Sequence, residues 1–482
     1  MRVRLYSEAI AQRRFCMKKI ALNITKWMLG LMLGLIVVVG LCWWLIPDEP
    51  LTPEADKFTS FAHAPPAANN AYFMIWGFAA SPELDPHVVG RQIVAAHDRL
   101  LAADKDLSNF KLENFYGERP LKFPKDSKRI CDLTKNENCL MVYQSKQAEV
   151  EAQSEEYKVY LARYRKIREY QDFGLALSQL SSQSPVVAWN PILRISDLVD
   201  GNIAERMKSK TTQRAALEEL AAEVSSWRRL LQGNDWLITQ MISVVTLGRK
   251  YRLASEIMNA YPEVATVYPA LMAKITVPLL PAETSTVNSV AAEARSVNGT
   301  FRGMQARGNF LEDSFFEGLP GSPLRAAIAV GGFRANATLN EGYRFFNELL
   351  VFLAKSPKEV LEGHKALLDL QEKRARFSLG AVFYNPVGRI TANLITPNYT
   401  EYAFRVFDLI GFSRLLDLQR RVIETNVGPD KVGSLLAGAG PGLTNPYTEL
   451  PMLWDPATKQ ISFKMHGKRN VSFGYVTLDH LK

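Results

Sequence analysis

Residues 338–401 read TLNEGYRFFNELLVFLAKSPKEVLEGHKALLDLQEKRARFSLGAVFYNPVGRITANLITPNYTE, and this stretch decides the fold class. It contains three helix-start signatures: Thr338-Leu-Asn-Glu341, Ser356-Pro-Lys-Glu359 and Asn398-Tyr-Thr-Glu401. Each sets a side-chain oxygen at the cap and a glutamate three residues on, the reciprocal pairing that satisfies amides a helix start leaves unpaired. Pro357 adds a residue pre-set for the first helical position. A mainly α chain follows. No period of about 34 or 40 residues recurs, so stacked helical repeats are not expected.

Working outward, residues 145–173 place Tyr157, Tyr160, Leu161, Tyr164, Ile167 and Tyr170 at three- and four-residue intervals, with Lys158, Arg163, Arg165, Lys166 and Arg168 between them. This predicts an amphipathic helix whose tyrosine face either packs on a neighbour or forms an exposed groove. A helix from Asn234 aligns Leu237, Met241, Val244, Gly248, Tyr251 and Met258. The run ISVVTLG, bounded by Asp235 and Arg249, is too short to span a bilayer and reads as core helix, with Gly248 permitting a close helix crossing. Asp85-Pro86 starts another helix through Ile93, His97 and Leu101. The short aromatic-rich run AYFMIWGF, residues 71–78, predicts a buried strand.

At the C-terminal end the period changes. LAGAGPGLTNPYTELP is a Gly/Pro-rich loop, after which Ile461, Phe463 and Met465, then Val471, Phe473 and Tyr475, alternate with more polar or smaller residues. Turns at Asp455–Lys459 and Gly467–Asn470 complete a small antiparallel meander over 441–482.

At the other end, Trp27–Ile46, WMLGLMLGLIVVVGLCWWLI, has no charge and is long enough at 1.5 Å per residue to cross the roughly 30 Å apolar core of a bilayer. Arg2, Arg4, Arg13, Arg14, Lys18, Lys19 and Lys26 precede it, whereas Asp48, Glu49, Glu54 and Asp56 follow. Basic flanks stay in the cytoplasm, so residues 1–26 form a cytoplasmic arm and the remainder is exported. A cleaved signal peptide needs small residues where Trp43, Trp44 and Leu45 stand. A lipoprotein signal at Cys42 needs a small residue where Leu41 stands. The expected organisation is an uncleaved anchor at 27–46, a Pro/Ala-rich stalk at 47–70 and an α-helical periplasmic domain at 71–440. A start at Met17 would make 1–16 an artefact of start-site choice.

Net charge is +9, of which the first 26 residues contribute +6. The exported part is therefore nearly balanced, which removes the electrostatic case for a nucleic-acid partner. Hydrophobic content of 47% is ample for a packed core. Cys131 and Cys139 lie in the exported part, where an oxidising periplasm predicts a disulfide between them; a metal site would need further soft ligands at finger-like spacing.

Recognisable chemistry is sparse. His63, His87, His97, His364, His466 and His480 include no i, i+4 pair, and His87 and His97 would fall about 80° short of a common helix face. His364 shares an apolar stripe with Val360, Leu367 and Leu368 and reads as a hydrogen-bonded core histidine. No nucleophile elbow or penicillin-binding motif set occurs, and Gly438-Ala-Gly-Pro-Gly442 lacks the strand and spacing of a dinucleotide fingerprint. The one enzyme lead is Glu312, Asp313 and Glu317 among Phe310, Phe315 and Phe316, where apolar neighbours would split two carboxyl pKa values as glycoside cleavage requires. The solvated side of a short helix is the plainer account. No cofactor or metal is expected.

The sequence therefore predicts a membrane-anchored binding or scaffold protein of a bacterial inner membrane, with envelope proteins or cell-wall components as partners. A tethered glycan hydrolase and an envelope assembly factor or chaperone are the alternatives.

Overall fold

The structure is a computed structural model that describes residues 23–35, 37–43, 45–59, 66–103, 107, 109–123, 129–132, 137–174, 176–177, 180–181, 183–233, 236–307, 333–375, 379–389, 398–468 and 473–481. The fold is mainly helical. Helix α1, Asn23–Trp43, is long and apolar enough to cross a membrane, and the rest of the chain buries none of its apolar window. Short helices α2 (Pro53–Thr59) and α3 (Ala71–Trp76) lead to α4 (Pro86–Ala102).

The expected strand at 71–78 is instead α3. Asn70 caps it by accepting the Tyr72 amide at 2.8 Å, and all six of its residues are buried. Burial on every side leaves no polar stripe, so neither periodicity is visible in so short a run. The expected helix at Asp85-Pro86 is present as α4, with Asp85 accepting from the His87 amide. These helices touch closely: a Cβ on Gly90 would stand 1.8 Å from the Phe73 carbonyl oxygen.

After α5 (Cys139–Ser145), the 145–173 segment, expected as one helix, is two: α6 (Gln147–Glu156) and α7 (Lys158–Ile167), which meet at Tyr157. The central body follows: α8 (Trp189–Arg206), α9 (Lys210–Gln232), α10 (Leu237–Ala260), α11 (Glu263–Val267), α12 (Pro269–Thr276) and α13 (Val287–Arg307). The chain resumes with α14 (Ala335–Leu353), α15 (Pro357–Ala375), α16 (Leu379–Tyr384), α17 (Tyr399–Thr425) and α18 (Pro429–Ala437). Helix α10 lies between α9 and α17 and is buried around most of its circumference, so the large core forms about it. A smaller cluster of Phe301, Phe333, Ala335, Leu339 and Val387 joins α13 to α14 and takes in Leu51.

Of the three helix-start signatures, one is a full capping box. At Ser356 the Glu359 carboxylate accepts the Ser356 amide at 3.0 Å and Ser356 Oγ accepts the Glu359 amide at 3.3 Å. Asn398 is the cap residue of α17, but its side-chain oxygen accepts the Thr400 hydroxyl and makes no cap bond. Thr338 lies inside α14, which begins at Ala335, and its hydroxyl donates back to the Arg334 carbonyl at 2.7 Å. The first amides of α14 are met by a residue far away in sequence, described below.

The C-terminal meander is present as β1 (Leu453–Asp455), β2 (Gln460–Ser462) and β3 (Tyr475–Thr477), antiparallel in the order β1-β2-β3. Asp455 organises the first turn by accepting the Ala457 amide and the Thr458 hydroxyl. The Phe463 amide continues the β2–β3 pairing by donating to the Gly474 carbonyl at 3.0 Å, while the Phe463 and Phe473 rings enter notches on the helices; Val471 and the turn residue Asn470 lie outside the described residues. A Cβ on Gly411 of α17 would come within 2.3 Å of the Phe463 ring, and one on Gly248 of α10 within 2.0 Å of the Phe473 ring. Gly248 thus admits an aromatic ring and not, as expected, a crossing helix.

Candidate functional site

Glu312, Asp313 and Glu317 lie outside the described residues. Cys131 and Cys139 form the expected disulfide, with Cα atoms 5.5 Å apart, and both are buried. Among the described residues no cluster of three or more His, Cys, Asp or Glu side chains is arranged to hold a metal ion. His97 is fully buried between Asp98 and Ser184, whereas His87 stacks on Tyr170. His364 bonds to Thr400 at 2.9 Å and meets the Phe404 ring edge-on. The Gly438–Gly442 segment closes α18 and turns at Gly440, whose φ is +85°.

The tyrosine face is internal. Tyr160, Tyr164 and Ile167 are buried, and Tyr157 stacks on Phe123, so this face offers no open groove. Arg163, expected on the polar side, is also buried. Its guanidinium donates to the carbonyls of Phe78, Ala80, Ser81 and Leu84 and so holds the loop after α3.

Two polar constellations were not foreseen from the sequence. The first is an ionic cluster inside the helical body. Lys250 on α10 is fully buried, and its ammonium meets Asp200 of α8 at 2.5 Å, Glu223 of α9 at 3.2 Å and the Ser196 carbonyl at 3.0 Å. The contacts with Asp200 and Ser196 are hydrogen bonds, and that with Glu223 is an ion pair. Arg249 pairs with Asp197, which also accepts the Tyr143 hydroxyl at 2.6 Å. Glu223 further accepts from Tyr164 at 2.6 Å and Arg168 at 3.1 Å. Burial pushes Asp200 up to about 6, against the pull of Lys250, and lifts the Tyr143 and Tyr164 hydroxyls well above their usual range. A buried ionic cluster of this kind joins α8, α9 and α10 through their charges. Its sequence signal is the pair Arg249-Lys250 inside an otherwise apolar helix.

Beside the cluster, Glu256 of α10 accepts the Leu140 amide at 2.9 Å at the start of α5, next to the disulfide. Burial raises its carboxyl from 4.5 to about 7. A carboxyl raised in the folded state binds its proton more tightly there than in the unfolded chain, so stability falls as pH rises from about 4.5 to about 7. The full change is about 3 kcal/mol. Glu256→Gln keeps an acceptor for the amide and is expected to remove this loss. Urea titration should show the variant gaining on the parent chain between pH 5 and pH 8; an equal offset at both would refute the assignment.

The second constellation joins α1 to the body. Arg334, at the cap position of α14, donates to the carbonyls of Trp43 and Ile46 at the end of α1. Asp48 accepts the Asn336 and Ala337 amides at 2.8 and 3.1 Å, capping α14 from outside its own segment. Its charge also suits the positive end of the helix. Asn340 donates to Glu49 and accepts the Thr52 amide, the Tyr384 hydroxyl accepts the Glu49 amide, and Arg302 pairs with Asp56. Residues 48–56, expected as a stalk, are bonded to the helical body because their polar groups complete α14 and its neighbours. Spacing within either segment carried no sign of this.

Comparison with family models, with curated proteins and with solved structures finds no match to this chain.

Proposed function

We propose that this chain is a membrane-anchored binding or scaffold protein of the bacterial envelope, with α1 retained in the inner membrane, the basic arm in the cytoplasm and the helical body in the periplasm. The observation that carries the reading is the bonded junction. Arg334, Asp48, Asn340 and Tyr384 grip the residues that follow α1, an arrangement suited to presenting a rigid body at a fixed attitude to the bilayer. A cleaved leader would leave Asp48 at the edge of a cut site and remove the Arg334 partners. The charge asymmetry about α1 supports the orientation, and the Cys131–Cys139 bond suits an oxidising compartment. The buried ionic cluster is consistent with charges serving architecture.

The test is site-specific photo-crosslinking in cells from exposed body positions such as Met141 and Val267. One or a few envelope components should be captured reproducibly, and capture of nothing specific would overturn the proposal. A phosphatase reporter fused after Lys482 should be active; an expressed but inactive fusion would reverse the topology. In the same cells, changing Glu312, Asp313 and Glu317 together to amides should leave capture and phenotype intact. Loss of phenotype with normal protein level and capture would move the reading to the hydrolase.

A further inference from the structure

We propose that Arg129 and Arg194, beside the Arg249–Asp197 pair, form a site for a phosphate group, either inorganic phosphate or the end of a phosphate monoester. The site belongs to the helical body alone and does not depend on the fate of α1.

Two segments bring the cations together. One carboxylate oxygen of Asp197 on α8 accepts from Arg249 and from the Tyr143 hydroxyl, and the other accepts the Ile130 amide at 3.2 Å. Arg129 immediately precedes Ile130, in the short segment that the Cys131–Cys139 disulfide ties to the start of α5. Arg194 stands one turn before Asp197 on the same face of α8. The exposed Lys146 adds a further cation by donating to the Ile130 carbonyl at 3.4 Å.

Charge is unbalanced at this point. Asp197 is the carboxylate that Arg129, Arg194 and Arg249 share, and Arg249 holds it. Two further acids nearby are engaged elsewhere: Asp200 with Lys250, and Glu137 with the Asp132 amide. Arg129 and Arg194 make no hydrogen bond or ion pair with any described residue. Nε and Nη1 of Arg194 are shut off from solvent and still lack an acceptor. Burial, and then Arg249, draws the Arg129 guanidinium below its usual range; burial and Arg249 do the same to Arg194 against the pull of Asp197. Cations taken out of water are costly until a counter-charge meets them. A phosphate group carries roughly two negative charges at neutral pH and accepts paired N–H bonds from a guanidinium fork. One such group therefore answers both arginines, which a singly charged carboxylate does not.

The probe is inorganic phosphate, added to the full chain in detergent at fixed ionic strength with chloride as the reference anion. Binding is read by isothermal titration calorimetry and by the midpoint of urea unfolding. Phosphate should bind at one site and raise the midpoint, and acetate should do neither. Arg129→Met and Arg194→Met, which keep most of the apolar stem, should each weaken phosphate binding about tenfold or more, whereas Lys431→Met, at an exposed position on α18, should not. In phosphate-free buffer both arginine variants should unfold at the parent midpoint or above it, because each removes a charge that its neighbours repel. Absence of phosphate binding, equal stabilisation by chloride, acetate bound as tightly as phosphate, or an equal loss in the Lys431 variant overturns the proposal. A lower midpoint of both arginine variants without phosphate also overturns it, since the arginines would then be structural. Glycerol 3-phosphate separates the sources: binding tighter than that of inorganic phosphate supports a phosphate monoester, and equal or weaker binding supports the free ion.

Discussion

Lys250→Met is expected to destabilise the folded chain by about 3–5 kcal/mol, the usual cost of removing one partner from a buried ion pair. Methionine roughly fills the lysine volume, so lost packing contributes little; the damage is electrostatic. Asp200 and Glu223, both buried, would lose the ammonium that lies 2.5 and 3.2 Å away, and each would have to take up a proton or admit water. The measurement is urea unfolding of the detergent-solubilised chain. A triple variant, Lys250→Met with Asp200→Asn and Glu223→Gln, removes the charges together and should recover most of the loss. If the single variant unfolds at the same urea concentration as the parent chain, the cluster does not bind the helices together as described.

Arg163→Met is expected to have an effect of similar size through a different route. The guanidinium satisfies four carbonyls between Phe78 and Leu84, and each unpaired buried group costs roughly 1–3 kcal/mol, less where water reaches it. A total of about 3 kcal/mol is expected. Arg163→Lys should recover only part, because a point-like ammonium cannot reproduce a planar fork. Hydrogen exchange should show the amides of residues 78–84 opening more readily than those of α10. Uniform acceleration across the chain, or full recovery by lysine, would contradict a local clamp.

How much could be read in advance follows from where each determinant lies along the chain. The Ser356 box and the Asp85-Pro86 start were legible because cap and helix are neighbours in sequence. The Cys131–Cys139 bond was legible because the two cysteines stand close in sequence beyond the apolar segment. The strand expected at 71–78 is a helix because a short run buried on all sides erases its period, although Asn70 stood at its start as a cap signal. Arg163 was misplaced because a charge between tyrosines ordinarily faces water, and only the carbonyls of another segment make its burial tolerable. Asp48 capping α14, the ionic cluster and the grip on α1 join residues far apart in sequence, and no local pattern encodes such pairings. The carboxylates Glu312, Asp313 and Glu317 fall outside the described residues, so that lead stands where the sequence left it.

The rings of Phe463 and Phe473, seated against Gly411 and Gly248, bear on the order in which this chain completes itself. The same C-terminal segment bonds Thr477 to Asn259 across 218 residues. A chain emerging N-terminus first presents both glycine notches before either ring has been synthesised. Until then α10 and α17 carry apolar hollows that nothing local can fill, and closing so long a loop is slow relative to forming the helices. The strand segment therefore acts as the latch on α10 and α17, and a nascent chain waiting for it exposes the hollows at Gly248 and Gly411.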